Sequence, residues 1–185
     1  IGITGTKGKS TTVTCLREIF DVWLAEQKLP PAGFISSIEE FDGFTSEESV
    51  LTTPEPLELF TILRNCVTAG IDHVILESSS QGLKYGRLDD INFSYGSIVN
   101  IAEDHISDIE HKDFEDYKAA KLAMIDHSEK LLVNLDVEYS DLMLEKAAEK
   151  QVKVITLSTR EGLAADYRAE NIRSRADGLV FDVKS

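Results

Sequence analysis

Apolar residues in this chain fall into two kinds of pattern that take turns along its length. Short runs stand at Ile1–Thr4, Phe34–Ile38, His73–Leu76, Ser97–Asn100, Leu131–Asn134 and Val152–Leu157. Each has the length and apolar density of a strand buried in a sheet. Between them, apolar residues recur every three or four positions, the spacing of one helix face. Lys9 to about Glu26 reads this way through Val13, Leu16, Ile19, Phe20 and Trp23, and Pro30, Pro31 and Gly33 stop it. After a polar loop rich in Glu and Ser, a second helix starts at Thr53-Pro54-Glu55-Pro56, with a stripe of Leu57, Phe60, Leu63 and Val67. Further helices are predicted over about Asp113–Ile125 and Ser140–Lys150. At the end, Asp166–Ile172 and Leu179–Val183 alternate around Asp177-Gly178, a hairpin signal. Strands alternating with helices predict one α/β domain: a doubly wound, mainly parallel sheet of P-loop type with helices on both faces and a C-terminal antiparallel hairpin.

Composition narrows the setting. The 185 residues, 42% hydrophobic and 28% charged, suit a single globular domain. No apolar run approaches the roughly 20 residues that cross a bilayer, and the first residues lack the layout of a signal peptide. A cytoplasmic location and no membrane partner are expected. A chain that opens inside a strand reads as a piece of something longer. The net charge of −14 argues against nucleic acid, which needs clustered Lys and Arg, but not against a nucleotide. Cys15 and Cys66 have no metal-ligand spacing and read as small buried residues.

The first strand runs into Gly5-Thr6-Lys7-Gly8, and Lys9-Ser10-Thr11 opens the first helix. A tight glycine turn at a helix N-terminus exposes backbone N–H groups to a phosphate. The standard P-loop also has a glycine five positions before that of Gly-Lys-Ser, and here Ile3 stands there. In this frame Lys9 reaches terminal phosphates and Ser10 ligates magnesium.

Ligands of open parallel sheets gather beyond the carboxyl ends of the strands. One such end is this loop. Another carries Glu77, a carboxylate closing the apolar run Val74-Ile75-Leu76. A third is followed by Asp104 and His105. A lone loop histidine is usually just polar; beside two other candidate magnesium positions it becomes a candidate ligand. In the helix from Asp113, the stripe of Phe114, Tyr117, Met124 and Ile125 has Lys121 in its middle and Lys118 at its edge. An inward lysine is costly to bury charged. It can snorkel outward, pair with a buried acid or be held in an active site, and periodicity does not choose.

In order along the chain, Gly5-Thr-Lys-Gly-Lys-Ser-Thr11, Leu51-Thr-Thr-Pro-Glu-Pro56, Leu76-Glu-Ser-Ser-Ser-Gln-Gly-Leu-Lys-Tyr-Gly-Arg87 and Asn100-Ile-Ala-Glu-Asp-His105 resemble the central ATPase domain of the Mur ligases. These enzymes build the peptide of bacterial cell-wall precursors, and their phosphate loop is shortened, as here. Within the family the likeness is to members that add the third residue. Ile109-Glu-His-Lys-Asp-Phe-Glu-Asp-Tyr117 is similar to the lysine-adding forms of some Gram-positive bacteria. The resemblance implies an ATP-dependent ligase. ATP phosphorylates the side-chain carboxylate of the glutamate in UDP-N-acetylmuramoyl-Ala-Glu, and an amino acid's amine attacks the acyl phosphate.

The family pattern puts Gly5, Thr6, Lys7, Gly8, Lys9, Ser10 and Thr11 on the phosphates of ATP, and Ser10, Glu77 and His105 on Mg2+. It makes Lys9, His105 and Lys121 catalytic, with Lys121 carbamylated by carbon dioxide so that its carbamate helps hold metal. It assigns Thr52, Thr53, Ser79 and Arg87 to the muramoyl-dipeptide; an arginine fork suits a carboxylate or pyrophosphate. Residues 1–185 are then the central domain of a monomer, with an N-terminal UDP-binding and a C-terminal amino-acid-binding domain outside this chain. The chain departs from the family at Gln81, where His is usual, at Tyr85, where Gln is common, and at Ile106-Ser107-Asp108. A sister amide ligase such as folylpolyglutamate synthase is one alternative, and a non-catalytic nucleotide-binding regulatory module another. Thr52-Thr53-Pro54 and Ser79–Arg87 favour the muramoyl substrate over folate.

Overall fold

The computed structural model describes every residue except 104–106, 108–109 and 177. Along the chain come β1 (Gly2–Thr4), α1 (Lys9–Glu26), β2 (Gly33–Ile35), β3 (Glu39–Phe41), β4 (Ser46–Glu48), α2 (Pro56–Thr68), β5 (Val74–Glu77) and α3 (Ser80–Lys84). There follow β6 (Gly96–Ile98), α4 (Phe114–Leu122), β7 (Lys130–Asn134), α5 (Ser140–Glu149), β8 (Lys153–Ser158), β9 (Tyr167–Arg175) and β10 (Gly178–Lys184). All strands join one sheet in the order β10-β9-β8-β7-β6-β1-β5-β2-β3-β4. From β9 to β2 every pairing is parallel, and both edges are antiparallel.

Successive strand residues point to opposite faces, and here both faces are covered. Phe34 and Ile75 pack with Ile3 and with Val13 and Leu24 of α1. Their neighbours Ile35 and Leu76 pack with Leu59, Ile62 and Cys66 of α2, and with Met124, Leu131 and Met143. The doubly wound expectation therefore holds, as does the C-terminal hairpin. More important for function, β6, β1 and β5 are adjacent, so their three carboxyl ends lie side by side.

Several expectations need correction. On α2 the sequence carries two stripes of helical spacing, and the sheet takes Leu59, Ile62 and Cys66; Leu57, Phe60 and Val67 are exposed. On α1, Val13 and Leu24 are buried while Ile19 and Trp23 are exposed. Cys66 is buried as expected, but Cys15 is exposed. The strand expected to reach Ile38 stops at Ile35, and the polar loop after it forms the hairpin β3–β4. Its turn is Asp42-Gly43, where the Asp42 carboxylate accepts from the N–H groups of Phe44 (2.9 Å) and Thr45 (2.8 Å). Its register sets Glu39 opposite Glu48 and Glu40 opposite Glu47, an arrangement of like charges that masked it as a strand pair. The short helix α3 was not anticipated.

Gly96 pairs with Gly2 at the sheet centre. A Cβ on it would stand 1.9 Å from Ser128 Oγ and 3.0 Å from Ser128 Cβ. Ser128 cannot simply turn away, because its hydroxyl donates to the Met124 carbonyl at 2.6 Å. Gly96→Ala is therefore expected to destabilise the fold by about 1–3 kcal/mol through overpacking. Urea unfolding checks this; an unchanged midpoint would show that the contact relaxes freely.

Candidate active site

The phosphate loop is built on two glycines. A Cβ on Gly5 would crowd Val99 Cβ (3.0 Å) and the Asn100 amide nitrogen (3.3 Å), and Gly8 takes φ 82°, the left-handed region. Helix α1 starts after Gly8 with no side-chain cap bond and no acid in its first turn. Its first amides thus have no partner within the helix, and its positive end is not offset by a carboxylate of its own.

Asn100, just past β6, clamps the front of the loop. Its Oδ1 accepts from the N–H groups of Thr6 (3.1 Å) and Lys7 (3.0 Å), and its Nδ2 donates to the Lys7 carbonyl (2.9 Å). The Thr6 hydroxyl donates to the Ala102 carbonyl (3.2 Å) and accepts from the Ala102 N–H (2.9 Å) and Tyr117 hydroxyl (3.1 Å). Thr6 and the Lys7 amide thereby take part in shaping the loop. The Lys9 amine rests on the Thr6 carbonyl at 3.4 Å.

Glu77 ends β5 with 1% exposure. Such burial is costly without donors, and they are present. The Ser10 hydroxyl donates to Oε1 (3.1 Å), and the N–H and hydroxyl of Ser37 donate to Oε2 (3.1 and 3.2 Å). Among the described residues no three His, Cys, Asp or Glu side chains gather as a metal cage. One carboxylate and a hydroxyl beside a phosphate loop is instead the hard-oxygen set that magnesium accepts when phosphates supply further ligands. Ser10 and Glu77 fit that ion. Asp104 and His105 lie outside the described residues.

Lys121 resolves the question left by periodicity. It is 1% exposed, so it does not snorkel. Its amine donates to Thr4 Oγ1 (3.3 Å) and lies 5.1 Å from the centre of the Tyr117 ring. The described residues give it no ion pair. Burial above all, then the charge of Lys9, lowers its pKa to about 7 against the opposing pull of Glu77. It is a lysine held inside the candidate site, able to be neutral near neutral pH.

Three of the four residues assigned to the dipeptide, Thr53, Ser79 and Arg87, are tied together by hydrogen bonds. Thr53 is buried; its hydroxyl donates to the Glu77 carbonyl (3.1 Å) and accepts from the Ser79 N–H (2.9 Å). It anchors the cluster, while Thr52 stays partly exposed. Ser79 Oγ accepts from the Gly82 N–H (2.9 Å) and caps α3. Arg87 donates from Nη1 to the Thr53 carbonyl (2.9 Å) and pairs through Nη2 with Glu55 Oε1 (2.7 Å). Of the departures, Gln81 is half-buried and Tyr85 is exposed.

Sequence reasoning missed the supports: Asn100, Ser37, Tyr117 and His111. His111 is fully buried, with Nδ1 3.0 Å from Asp116 Oδ2 and Nε2 3.0 Å from Ser80 Oγ. The Lys84 hydrogen bond, opposed by some desolvation, keeps the Asp116 carboxyl below its ordinary pKa. Being ionised it can only accept, so the ring donates to Asp116 through Nδ1, with Nε2 bonded to the Ser80 hydroxyl. This ties α3 to α4, and hence the Ser79 segment to the Lys121 helix. Only Asn100 carried a readable signal, as a polar residue directly after an apolar strand beside the loop.

A shortened glycine turn feeding a helix, flanked on the next strand by a buried carboxylate, defines a phosphate-loop α/β domain. The Mur ligase middle domain model matches residues 3–185, and the chain belongs to that family. It is 37% identical over 185 residues to the L-lysine ligase for UDP-N-acetylmuramoyl-L-alanyl-D-glutamate of Enterococcus faecalis, covering 100% of this chain and 35% of that protein. Against the 2,6-diaminopimelate ligase for the same compound from Clostridium perfringens it is 32% identical over 183 residues, 99% of this chain and 36% of that one. The chain thus spans about a third of the length of these relatives. A solved structure of a diaminopimelate ligase of this kind superimposes with a TM-score of 0.79 at 25% identity, over 98% of this chain and 36% of that one. A folylpolyglutamate synthase/dihydrofolate synthase from Yersinia pestis shares the fold at a TM-score of 0.56 and 18% identity, over 98% of this chain and 45% of that one. Among the described residues no helix is long and apolar enough to cross a membrane.

Proposed function

We propose that the protein carrying this chain is an ATP-dependent ligase that adds the third amino acid to UDP-N-acetylmuramoyl-Ala-Glu, and that residues 1–185 are its central, nucleotide-binding domain. The observation that carries the reading is convergence: Gly8–Thr11, Glu77 and Lys121 share one strand mouth with Arg87 tied to it through Thr53. The E. faecalis and C. perfringens relatives, similar across the whole chain, are named as ligases of that compound. The UDP-binding and amino-acid-binding parts belong to the remaining two-thirds of such a protein. A cytoplasmic monomer acting on small molecules alone is the form in which we place it.

In this reading the amides of Gly8 to Thr11 and the Lys9 amine hold the ATP phosphates. Arg87, Ser79 and Thr52 hold the muramoyl-dipeptide so that its glutamate side-chain carboxylate faces the γ-phosphorus. Attack forms a carboxyl O–P bond and breaks the bond to ADP. The amine of the incoming amino acid then forms the C–N bond, loses a proton and releases phosphate. Phosphoryl transfer of this kind depends mainly on positioning and charge neutralisation. Magnesium, held by Ser10, Glu77 and His105, supplies that neutralisation at the phosphates.

Lys121 extends the same logic. With its pKa near 7, the amine is substantially neutral at neutral pH and can attack carbon dioxide. An N–C bond forms, a proton leaves, and a buried cation becomes an anion suited to a metal. This carbamate is the form in which we expect Lys121 to act.

The test is phosphate release by the full-length protein with ATP, Mg2+ and UDP-N-acetylmuramoyl-Ala-Glu, adding lysine, diaminopimelate, ornithine and alanine in turn. Release that needs both the nucleotide-sugar peptide and one amine is expected. Release driven by a folate substrate instead would shift the reading to the sister ligase. Silence with every amine, from protein that binds ATP, would shift it to a regulatory module.

A further inference from the structure

We propose that Glu55 is a built-in stand-in for the substrate: in the resting site it fills the Arg87 fork that the non-reacting carboxylate of the dipeptide's glutamate takes on binding. The inference rests on the reading of Arg87 as a dipeptide-binding residue. Arg87 has a 16% exposed side chain and is anchored by Nη1 on the Thr53 carbonyl (2.9 Å), leaving Nη2 to present the charge. Thr53 also holds the Glu77 carbonyl and the Ser79 N–H, so the arginine is fixed relative to the strand mouth. What meets Nη2 is Glu55 Oε1 at 2.7 Å, from a side chain that is 60% exposed. A guanidinium keeps its charge and prefers a planar carboxylate, so an empty fork is unfavourable and an exchangeable one is not.

Among the described residues, the Glu55 side chain has no ion pair other than the one with Arg87. Glu55 occupies the position before α2, yet its side chain makes no capping bond to that helix. Nor has it a favourable place to withdraw to. The groove that Glu55 itself helps line, about 450 Å³, also carries the acidic side chains of Glu40, Asp42, Glu47 and Glu58. A displaced Glu55 moves toward like charges or into water, and returns when the fork empties. A ligand must therefore bring a carboxylate of its own to take its place, which makes Glu55 a discriminator against uncharged look-alikes.

The full-length enzyme tests this through KM and kcat. An exposed pair is weak, so Glu55→Gln is expected to lower KM for UDP-N-acetylmuramoyl-Ala-Glu by roughly two- to fivefold with kcat unchanged. With the non-reacting carboxylate of the substrate amidated, the same variant should show no such gain. Arg87→Ala is expected to raise KM by about tenfold or more, since a charged hydrogen-bond donor is lost, and Glu55→Gln added to it should change nothing further. An unchanged or higher KM in Glu55→Gln, with Arg87→Ala still impaired, overturns the stand-in alone. An unchanged KM in Arg87→Ala overturns the reading of Arg87 beneath it, and the stand-in with it.

Discussion

Lys121→Ala in the full-length protein should lose turnover by on the order of 10² to 10³-fold, the scale of removing a buried group that stabilises developing charge. Short carboxylates such as acetate should restore part of it by entering the space left, as they would replace a carbamate and not an ammonium. The pH profile carries the same signature. At limiting carbon dioxide, wild-type activity should rise as pH passes upward through about 7, where the amine sheds its proton. A Lys121→Ala enzyme retaining half of wild-type turnover would end the carbamate reading.

Replacing Lys121 should help stability where it harms turnover. The folded amine titrates near 7, against an ordinary value of 10.5. Below about 7 both states hold the proton, and the full cost of a buried cation is present. Between about 7 and 10.5 the unfolded chain binds the proton that the folded chain has lost, so stability rises with pH across that window. Lys121→Met, apolar and of similar length, should therefore raise the melting temperature most below pH 7, and the advantage should shrink above it. Thermal melts of the chain at pH 6 and 9, without bicarbonate, compare the two.

Glu77→Gln should be the second severe variant. It keeps the shape and one acceptor oxygen for the Ser37 N–H, with its NH2 able to donate to the Ser10 hydroxyl, but removes the charge suited to magnesium. Turnover is expected to fall by roughly 10²-fold, with the magnesium requirement shifted to higher concentration. The fold should not suffer, because the cost of burying a carboxylate goes with it. Wild-type dependence on magnesium in this variant would remove Glu77 from the metal site.

The parts of this architecture visible in sequence were those set by local chemistry. The phosphate loop, the strand ending in Glu77 and the inward Lys121 each broke a local pattern: glycine where a chain must turn, charge where a strand or stripe is apolar. What stayed hidden was set by long-range packing. Helix α2 offers two apolar stripes, and only the sheet chooses Leu59, Ile62 and Cys66 over Leu57, Phe60 and Val67. Asn100 and Tyr117 meet the loop across sequence separations of more than ninety residues, which no window along the chain reveals. The hairpin β3–β4 was hidden for a different reason, since glutamates facing glutamates are poor evidence for pairing.

Those glutamates also determine how the molecule meets its neighbours. An outermost strand is a ready template for a strand from another copy. Here β4 closes one side of a ten-stranded sheet with Glu47 and Glu48, backed across the ladder by Glu40 and Glu39. Of these four glutamates, Glu39 is the one paired with an arginine, Arg17, among the described residues. A second copy arriving edge to edge would bring the same charges into register with these, so repulsion keeps that border closed to self-recruitment. The Glu40 carboxyl, raised in pKa by burial and by Glu58 and Glu47, takes up its proton before an ordinary glutamate does. Lowering the pH therefore begins to relieve this charge at Glu40.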